Sequence, residues 1–399
     1  MSPARPPEGA KSLSEGRRAA PRVPHSAIAV AAVSARLLAE AAAREGFEVV
    51  ALDVFGDADT RRASRHWRAI DADGSVHIDG AKFLAALREI ARDGVADAWV
   101  PGSGFEGDAD LIEQGAAVLP AIGTPAADVR RVRDPRRFFG GLDAAGIAHP
   151  PVRFDAPEDI AGWLVKDAHA TGGWHIRTAR RDDTALPGHV YFQREARGTP
   201  MSATFIAAAG DACLLGINRL LVRRVQAHPY VYCGVIGPLP AADGLMRRVS
   251  ATLRTLSTTF GLRGLGSLDF LLDGDEILVL EVNPRPPASL VLYPRVADGG
   301  VFAAHVEACT HGTLPRPAPA GAPRGAEIVF AHHAVTIDAG AAQRFTARPG
   351  CHDLPHAGAA FTPGDPVCSV EAAGADAAQV QARLNEERDA ILSMIETTP

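Results

Sequence analysis

The segment Leu280-Glu281-Val282-Asn283-Pro284-Arg285, with Asp269 upstream, constrains the fold more than any other part of the chain. Residues 267 to 272 and 276 to 283 read as two strands around Asp273-Gly274-Asp275, a hairpin signal. Side chains alternate between faces along a strand, so Leu268, Phe270 and Leu272 share one side, and Leu278, Leu280 and Val282 share one side of the partner. Merging both sets into one core face calls for an odd loop. A three-residue loop over 273 to 275 does this and gathers Asp269, Glu281 and Asn283 on the opposite face, whereas a two-residue loop would separate Asp269 from Glu281. Leu271, Ile277 and Val279 then lie beside the acids, so that face is expected to be covered.

Two carboxylates, an amide oxygen and a guanidinium in this arrangement suit a hard divalent cation carrying phosphate. Mg²⁺ takes oxygen ligands, usually one or two carboxylates with substrate phosphates and water. Asp269, Glu281 and Asn283 are the candidate metal ligands, and Arg285 can grip a phosphate through its planar fork. The cofactors expected on this basis are ATP with Mg²⁺ or Mn²⁺.

Charge and composition remove several alternatives. The 399 residues leave room for two or three domains. A net charge of −6 argues against nucleic acid as a partner, and no apolar run reaches membrane-spanning length. The 5 cysteines are scattered without a Cys-x-x-Cys pair, and no histidine ligand spacing is evident, which together read as a cytoplasmic protein with buried thiols. Residues 1 to 24 lack the apolar core of a secretory signal and read as a disordered tail.

Strand, helix and strand patterns over 27–33, 34–44 and 48–54, then a helix over 79–92 and a strand over 96–100, point to a parallel sheet with crossover helices. Pro101-Gly102-Ser103-Gly104-Phe105-Glu106 follows at the carboxyl end of a strand, where open α/β sheets place binding crevices. Gly104 and Glu106 are candidate substrate contacts there, although such loops are also ordinary turns. No G-x-G-x-x-G follows the first strand, which speaks against a dinucleotide dehydrogenase. Downstream come a helix over 126–132, an N-cap and N1 pair at Asp134-Pro135 opening a second helix, strands over 162–166, 189–194, 201–209 and 212–222, and a helix over 244–260. After a proline-rich stretch, strands over 326–337, 360–361 and 367–370 and a helix over 376–395 are expected.

Lysine occurs only as Lys11, Lys82 and Lys166, with arginine nearly everywhere else a cation is used. Lys166 sits inside an apolar strand and precedes Thr171-Gly172-Gly173, where glycines let backbone amides approach a phosphate. A flexible turn beside a snorkelling lysine is the plainer reading of that stretch taken alone.

Taken with the hairpin, these residues resemble the ATP-grasp superfamily. The motifs are Trp163-Leu-Val-Lys166, Ala170-Thr-Gly-Gly173, Tyr191-Phe-Gln-Arg-Glu-Ala-Arg-Gly198, Gly266-Ser-Leu-Asp269 and Leu280-Glu-Val-Asn-Pro-Arg285. The resemblance implies an α/β chain: a Rossmann-like domain over 25–125, a two-subdomain α+β ATP-grasp domain over 126–312, a Pro-rich linker over 313–323 and a small sheet domain over 324–399. It implies that Lys166 and the Thr171-Gly172-Gly173 loop hold ATP phosphates, that Gln193, Arg194, Glu195 and Ala196 meet adenine, and that Arg285 and Lys166 act in catalysis. Family members often carry an Asp-Lys pair where this chain has Asp134-Pro135, and Arg133 or Arg136 could replace that lysine.

Such enzymes activate a carboxylate or bicarbonate as an acyl phosphate and pass it to an amine or another nucleophile. The layout is similar to carboligases related to biotin carboxylase and, more distantly, to the tyramine-glutamate ligases of methanofuran synthesis. An amine-joining ligase is the leading expectation, acting on a small-molecule carboxylate and amine, with methanofuran-like cofactor synthesis as its finest form. Arg223 and Arg224, if they face the cleft, would suit an acidic substrate. An ATP-dependent carboxylase and a non-catalytic nucleotide-binding regulator are the alternatives, and a homodimer is compatible with the layout.

Overall fold

The computed structural model describes residues 27–72, 77–184, 186–297, 299–319 and 321–396. The tail expected over 1 to 24 lies outside the described residues.

Strands β1 (Ala27–Ala31), β2 (Glu48–Asp53), β3 (His66–Ala69) and β4 (Ala98–Pro101) form a parallel sheet of order β3-β2-β1-β4. Ile28 and Val30 pack into one apolar cluster while Ala29 and Ala31 pack into another, so β1 is covered on both faces, as a parallel strand with crossover helices must be. The connecting helices are α1 (Arg36–Arg44), α2 (Ala58–Ala63), α3 (Gly80–Asp93) and α4 (Ala109–Val118). Asp79 caps α3 by accepting from the Ala81 and Lys82 amides, and Gly94 ends it in the left-handed conformation that glycine adopts most readily.

Helices α5 (Ala126–Arg133) and α6 (Pro135–Ala144) follow, and Asp134 caps α6 at the Arg137 amide with Pro135 in the first turn. A four-stranded sheet holds β5 (Val152–Arg153), β6 (Trp163–Asp167), β7 (Arg177–Thr178) and β8 (Val190–Arg194) in the order β5-β8-β6-β7. Then come β9 (Thr199–Ala208), β10 (Asp211–Val225), β11 (His228–Gly237), α7 (Asp243–Phe260), β12 (Gly264–Asp273) and β13 (Glu276–Asn283). A short pair, β14 (Arg295–Val296) and β15 (Gly299–Gly300), precedes α8 (Val301–His311). The C-terminal elements are β16 (Arg324–Phe330), β17 (Val335–Thr336), α9 (Ala339–Ala347), β18 (Cys351–His352), β19 (Ala360–Phe361), β20 (Pro366–Ala373) and α10 (Ala377–Glu396). Strands β16, β20 and β18 extend the central sheet, whose order is β13-β12-β9-β10-β11-β16-β20-β18. The stretch expected as one strand over 326–337 thus divides between β16 and β17, with a turn between them.

The hairpin corrects one expectation. Asp273 pairs with Glu276, so the loop has two residues, Gly274-Asp275, and the register shifts between Asp269 and Phe270. Asp269 faces Glu281 while Phe270 faces Val279, which leaves Leu280 as the extra residue of a β-bulge. The bulge, not a three-residue loop, reconciles the acid pair with the core. It also exchanges the apolar assignments: Val279 is buried with Leu268, Phe270 and Val282, and Ile277 packs against them, while Leu278 and Leu280 stay outside that cluster.

An ionic cluster joins the parallel sheet to the C-terminal segment. Arg36 Nε donates to Asp353 Oδ1 at 3.0 Å and its Nη1 to Glu40 at 3.1 Å, while buried Asp59 accepts from the backbone amides of Asp353 and Leu354. Asp57 stands beside this cluster, and burial, with Asp353, Asp53 and Asp59 nearby, pushes its carboxyl up to about 8. A raised folded-state value makes ionised Asp57 a cost that begins above the unfolded aspartate value near ~3.9 and is complete above the folded one. Asp57→Asn is therefore expected to raise the melting temperature, more at pH 9 than at pH 6, with no gain at pH 3. Thermal unfolding at the three pH values checks this.

Candidate active site

Strands β12 and β13 bring the two acids together as direct cross-strand partners, with Ser267 opposite Asn283 one step along. Asn283 Nδ2 donates to Ser267 Oγ and to Asp269 Oδ2, both at 3.3 Å. The polar row continues across the sheet, since Asp269 pairs with Ser202 and Ser202 with Asn218. Asn218 Nδ2 donates to Thr204 Oγ1 at 3.0 Å, Thr204 meets Ser289 at 2.6 Å, and the Tyr293 hydroxyl donates to Asn218 Oδ1. Sequence reasoning did not single out this row. Its signal was present, because Ser202 and Thr204 alternate with the buried Ala203 and Phe205 in a strand where both faces are covered.

Three cations and a histidine surround Glu281. Arg133, buried in the last turn of α5, places Nη1 at 3.4 Å from Glu281 Oε2 and donates from Nη2 to the Ala170 carbonyl at 3.0 Å. Arg136 instead lies over the Phe154 ring at 4.2 Å, so of the two arginines near Pro135 only Arg133 enters the site. Lys166 is buried on β6 and donates to Gln193 Oε1 on β8 at 3.2 Å. Burial pulls its ammonium below the usual lysine value, with Glu281 opposing. Arg285 donates from Nε and Nη2 to Glu106 Oε1 at 2.9 and 2.8 Å, and Nη2 reaches Thr171 Oγ1 at 3.5 Å. The loop after β4 thus does reach the site: Glu106 is buried against Arg285, and its Oε2 accepts from the Gly104 amide at 2.6 Å.

Electrostatics separates the two acids. Burial and the neighbouring Glu281 push Asp269 well above the usual carboxylate range. Burial would raise Glu281 too, yet Arg133, Lys166, His175 and Arg285 together hold it low. Burial drives His175 down to about 4, against the pull of Glu281. Three buried donors or acceptors around this centre have no hydrogen-bond partner among the described residues: Arg133 Nε, His175 Nδ1 and Gln193 Nε2. Buried polar atoms are normally satisfied, so a ring of orphans fits a polar ligand that completes them. A hard-oxygen set of Asp269, Glu281 and Asn283 beside that ring fits a divalent cation with phosphate. His175 was not among the sequence candidates, and nothing in its spacing marked it.

The remaining candidates lie as follows. Gly172 and Gly173 have φ of +69° and +79°, and the Gly172 carbonyl accepts from the Tyr232 amide at 2.9 Å. A Cβ on Gly173 would overlap the Tyr230 carbonyl oxygen. The glycine pair therefore serves a close approach to β11 as well as a loop conformation. Gly173→Ala is expected to leave the molecule folded, displace the loop and weaken nucleotide binding roughly tenfold, about 1.4 kcal/mol, measured by titration. Gln193 is in the centre, while Arg194 donates outward to the Ala161 carbonyl at 2.7 Å. The Glu195 carboxylate accepts from the Tyr230 hydroxyl, and Ala196 is half-buried just beyond β8.

Arg223 does not face the acids. It pairs with the buried Glu327, which also takes Arg388 of α10, and Arg224 is exposed. Alternation along β10 sets Asn218 in the row with the acids and puts Arg219, Leu221 and Arg223 on the opposite face, towards α10 and Glu327.

Residues 133–289 match the family described as ATP-grasp domain. These residues form an ATP-grasp domain. The match runs from Arg133 to just past Arg285 and so contains both β-sheet acids, Lys166 and the glycine loop. The carbamoyl phosphate synthase large chain of Thermus thermophilus is 25% identical over 186 residues, which is 41% of this chain and 18% of that one. The chain thus spans under a fifth of that relative's length. The formate-dependent phosphoribosylglycinamide formyltransferase of Synechococcus is 24% identical over 314 residues, covering 72% of this chain and 76% of the relative. Beyond the ATP-grasp domain, the whole architecture resembles biotin carboxylase of Campylobacter jejuni, with a TM-score of 0.70 at 14% identity over 93% of this chain and 95% of that one. No helix among the described residues is long and apolar enough to cross a membrane.

Proposed function

We propose that this protein is an ATP- and Mg²⁺-dependent ligase that activates a small carboxylate as an acyl phosphate and joins it to an amine. The observation that carries this reading is the pairing of Asp269 with Glu281 inside a ring of Arg133, Lys166, His175 and Arg285, where Arg133 Nε, His175 Nδ1 and the nearby Gln193 Nε2 have no partner among the described residues. Asp269, Glu281 and Asn283 would hold Mg²⁺, and Mg·ATP would supply the phosphoryl group. Lys166 and Arg133 are placed to fix phosphate oxygens, with Arg133 in the role of the missing connector lysine. Gln193 holds Lys166 and keeps one amide hydrogen-bonding group for the nucleotide. Arg285, fixed by Glu106, would neutralise charge on the transferred phosphoryl group. Such pre-oriented charge is where phosphoryl-transfer enzymes gain most of their rate.

The activities of the relatives are those of other chains, and the acid and the amine are found by experiment. The deciding experiment measures ADP and phosphate release from Mg·ATP with amino acids and amines, starting with glutamate and tyramine, with and without bicarbonate. Release that needs one acid and one amine supports the ligase. Release that needs bicarbonate alone moves the assignment to a carboxylase, and nucleotide binding without release under every condition refutes the ligase in favour of a regulator.

A further inference from the structure

Three side chains of metal-ligand type meet where β6 runs into the glycine loop. Asp167 is the last residue of β6, His169 lies two residues on, just before Ala170-Thr171-Gly172-Gly173, and His189 immediately precedes β8. The two histidines are far apart in sequence and are brought together by the β6–β8 ladder: Asp167 pairs with Val190, and the Ala168 amide donates to the His189 carbonyl at 2.9 Å. Spacing along the chain gives no sign of the cluster, because it depends on the antiparallel return of β8.

The backbone holds these residues in place while the rings stay free. Asp167 Oδ1 accepts from the His169 amide at 2.8 Å, and a Cβ on Gly107 would overlap the His169 carbonyl oxygen, so the loop after β4 closes on this turn. The two imidazoles stack, with centroids 4.3 Å apart and planes 8° from parallel. His189 Nε2 lies 3.9 Å from Asp167 Oδ1, and one ligand atom from each of the three residues lies within 4.8 Å of the other two. No hydrogen bond among the described residues holds either ring. At neutral pH an ordinary imidazole is mostly uncharged and has a lone pair to give. Two such nitrogens with one carboxylate suit Zn²⁺, Co²⁺ or Ni²⁺, whereas Mg²⁺ takes oxygen. Metal–ligand bonds of about 2.0–2.2 Å set tetrahedral neighbours roughly 3.3–3.6 Å apart, so the cluster closes on an ion by a small contraction. Parallel rings cannot aim both lone pairs at one point; His169 is exposed and can turn about its Cβ–Cγ bond to do so.

We propose that Asp167, His169 and His189 form a binding site for a transition-metal dication, with water completing the ligands, separate from the oxygen set of Asp269, Glu281 and Asn283. Bound there, the ion ties the root of the glycine loop to the start of β8.

Calorimetric titration of the full chain with Zn²⁺, in excess Mg²⁺, tests the site. Zn²⁺ is expected to bind with a dissociation constant of about 10 µM or tighter. His169→Gln and His189→Gln should each weaken that binding at least about tenfold, while melting close to wild type without Zn²⁺, since neither ring holds a hydrogen bond that the fold uses. Zn²⁺ should raise the melting temperature of wild type and leave that of the variant lacking both histidines unchanged, as expected of an ion that binds the folded chain alone. Carbethoxylation mapped by mass spectrometry locates the ion: Zn²⁺ should protect His169 and His189 above the other histidines. Glu281→Ala should lose Mg·ATP and keep this Zn²⁺, so failure of the nucleotide reading and failure of this site are told apart. Absence of binding up to about 100 µM Zn²⁺, equal binding by wild type and both single variants, or loss of the bound Zn²⁺ in Glu281→Ala overturns the site.

Discussion

Glu281→Ala is expected to abolish Mg·ATP-dependent turnover, with a loss of a hundredfold to a thousandfold or more, roughly 3–4 kcal/mol of transition-state stabilisation, while the molecule stays folded. The carboxylate does two jobs in the arrangement seen. It is the acid held ionised, by Arg133, Lys166, His175 and Arg285, while its partner Asp269 is pushed toward the protonated form. Of the pair, it therefore presents the standing negative charge to an incoming dication. It is also the counter-charge for Lys166, whose ammonium is otherwise destabilised by burial. Removing it leaves Arg133 its carbonyl partners, Ala170 at 3.0 Å and Val282 at 3.5 Å, which is why the fold should survive. Glu281→Gln, of nearly the same volume, controls for packing and should lose activity to a similar extent. ADP release, Mg·ATP titration and thermal unfolding of both variants check the expectation, and wild-type turnover in either would refute the assignment.

How far the sequence carried the reading can be seen residue by residue. That Asp269 and Glu281 share a face was legible from the alternation of acids and apolar residues, but which apolar residues of β13 reach the core was not, since the bulge buries Val279 in place of Leu278 and Leu280. Nor was the device legible, since a two-residue turn plus a bulge at Leu280 and a three-residue loop both put the acids on one face, and neither leaves a distinct composition. The first βαβ units were legible from their 3.6 and 2 periodicities. Strand β11 was missed because Pro229 and Gly234 interrupt its apolar pattern, although Gly234 has to lack a Cβ to lie against the Ala326 carbonyl oxygen. Arg223 was offered only as one of an arginine pair that would suit an acidic substrate, and its place opposite the acids depends on which face of β10 carries Asn218, known only once β10 pairs with β9. His175 and the loop contact of Glu106 depend on distant segments meeting, a property of tertiary structure that no local pattern encodes. Helix α8, all but encircled by apolar and small residues, gave no amphipathic signal to read.

Glu106 and Arg285 should behave as a unit whose structural and catalytic roles separate in a double-mutant cycle. The pair is buried, with side chains 1% and 12% exposed and two hydrogen bonds to a single carboxylate oxygen. Breaking a buried pair from one side strands a charge, which costs about 3–5 kcal/mol, whereas removing both partners is far milder. Glu106→Ala and Arg285→Ala are each expected to destabilise by that amount, and the double variant by clearly less than their sum. Activity should not follow the same pattern. If Arg285 neutralises the transferred phosphoryl group, the double variant regains stability but stays as inactive as Arg285→Ala, while Glu106→Ala keeps partial turnover because the guanidinium remains in place beside Thr171. The pH dependence carries a definite sign. Burial would raise the Glu106 carboxyl, but Arg285 and Arg133 hold it below its ordinary value. Its contribution is therefore present above the unfolded glutamate value near ~4.3 and disappears as pH falls through the lower folded value, so wild type and Glu106→Ala should converge in stability at acid pH. Denaturant unfolding of the four proteins at pH 7 and in a series descending below pH 4, with ADP release at pH 7, measures the stability and activity of each. Recovery of turnover in the double variant would assign Arg285 to holding the loop after β4 in place, and leave phosphoryl transfer to Lys166 and Arg133.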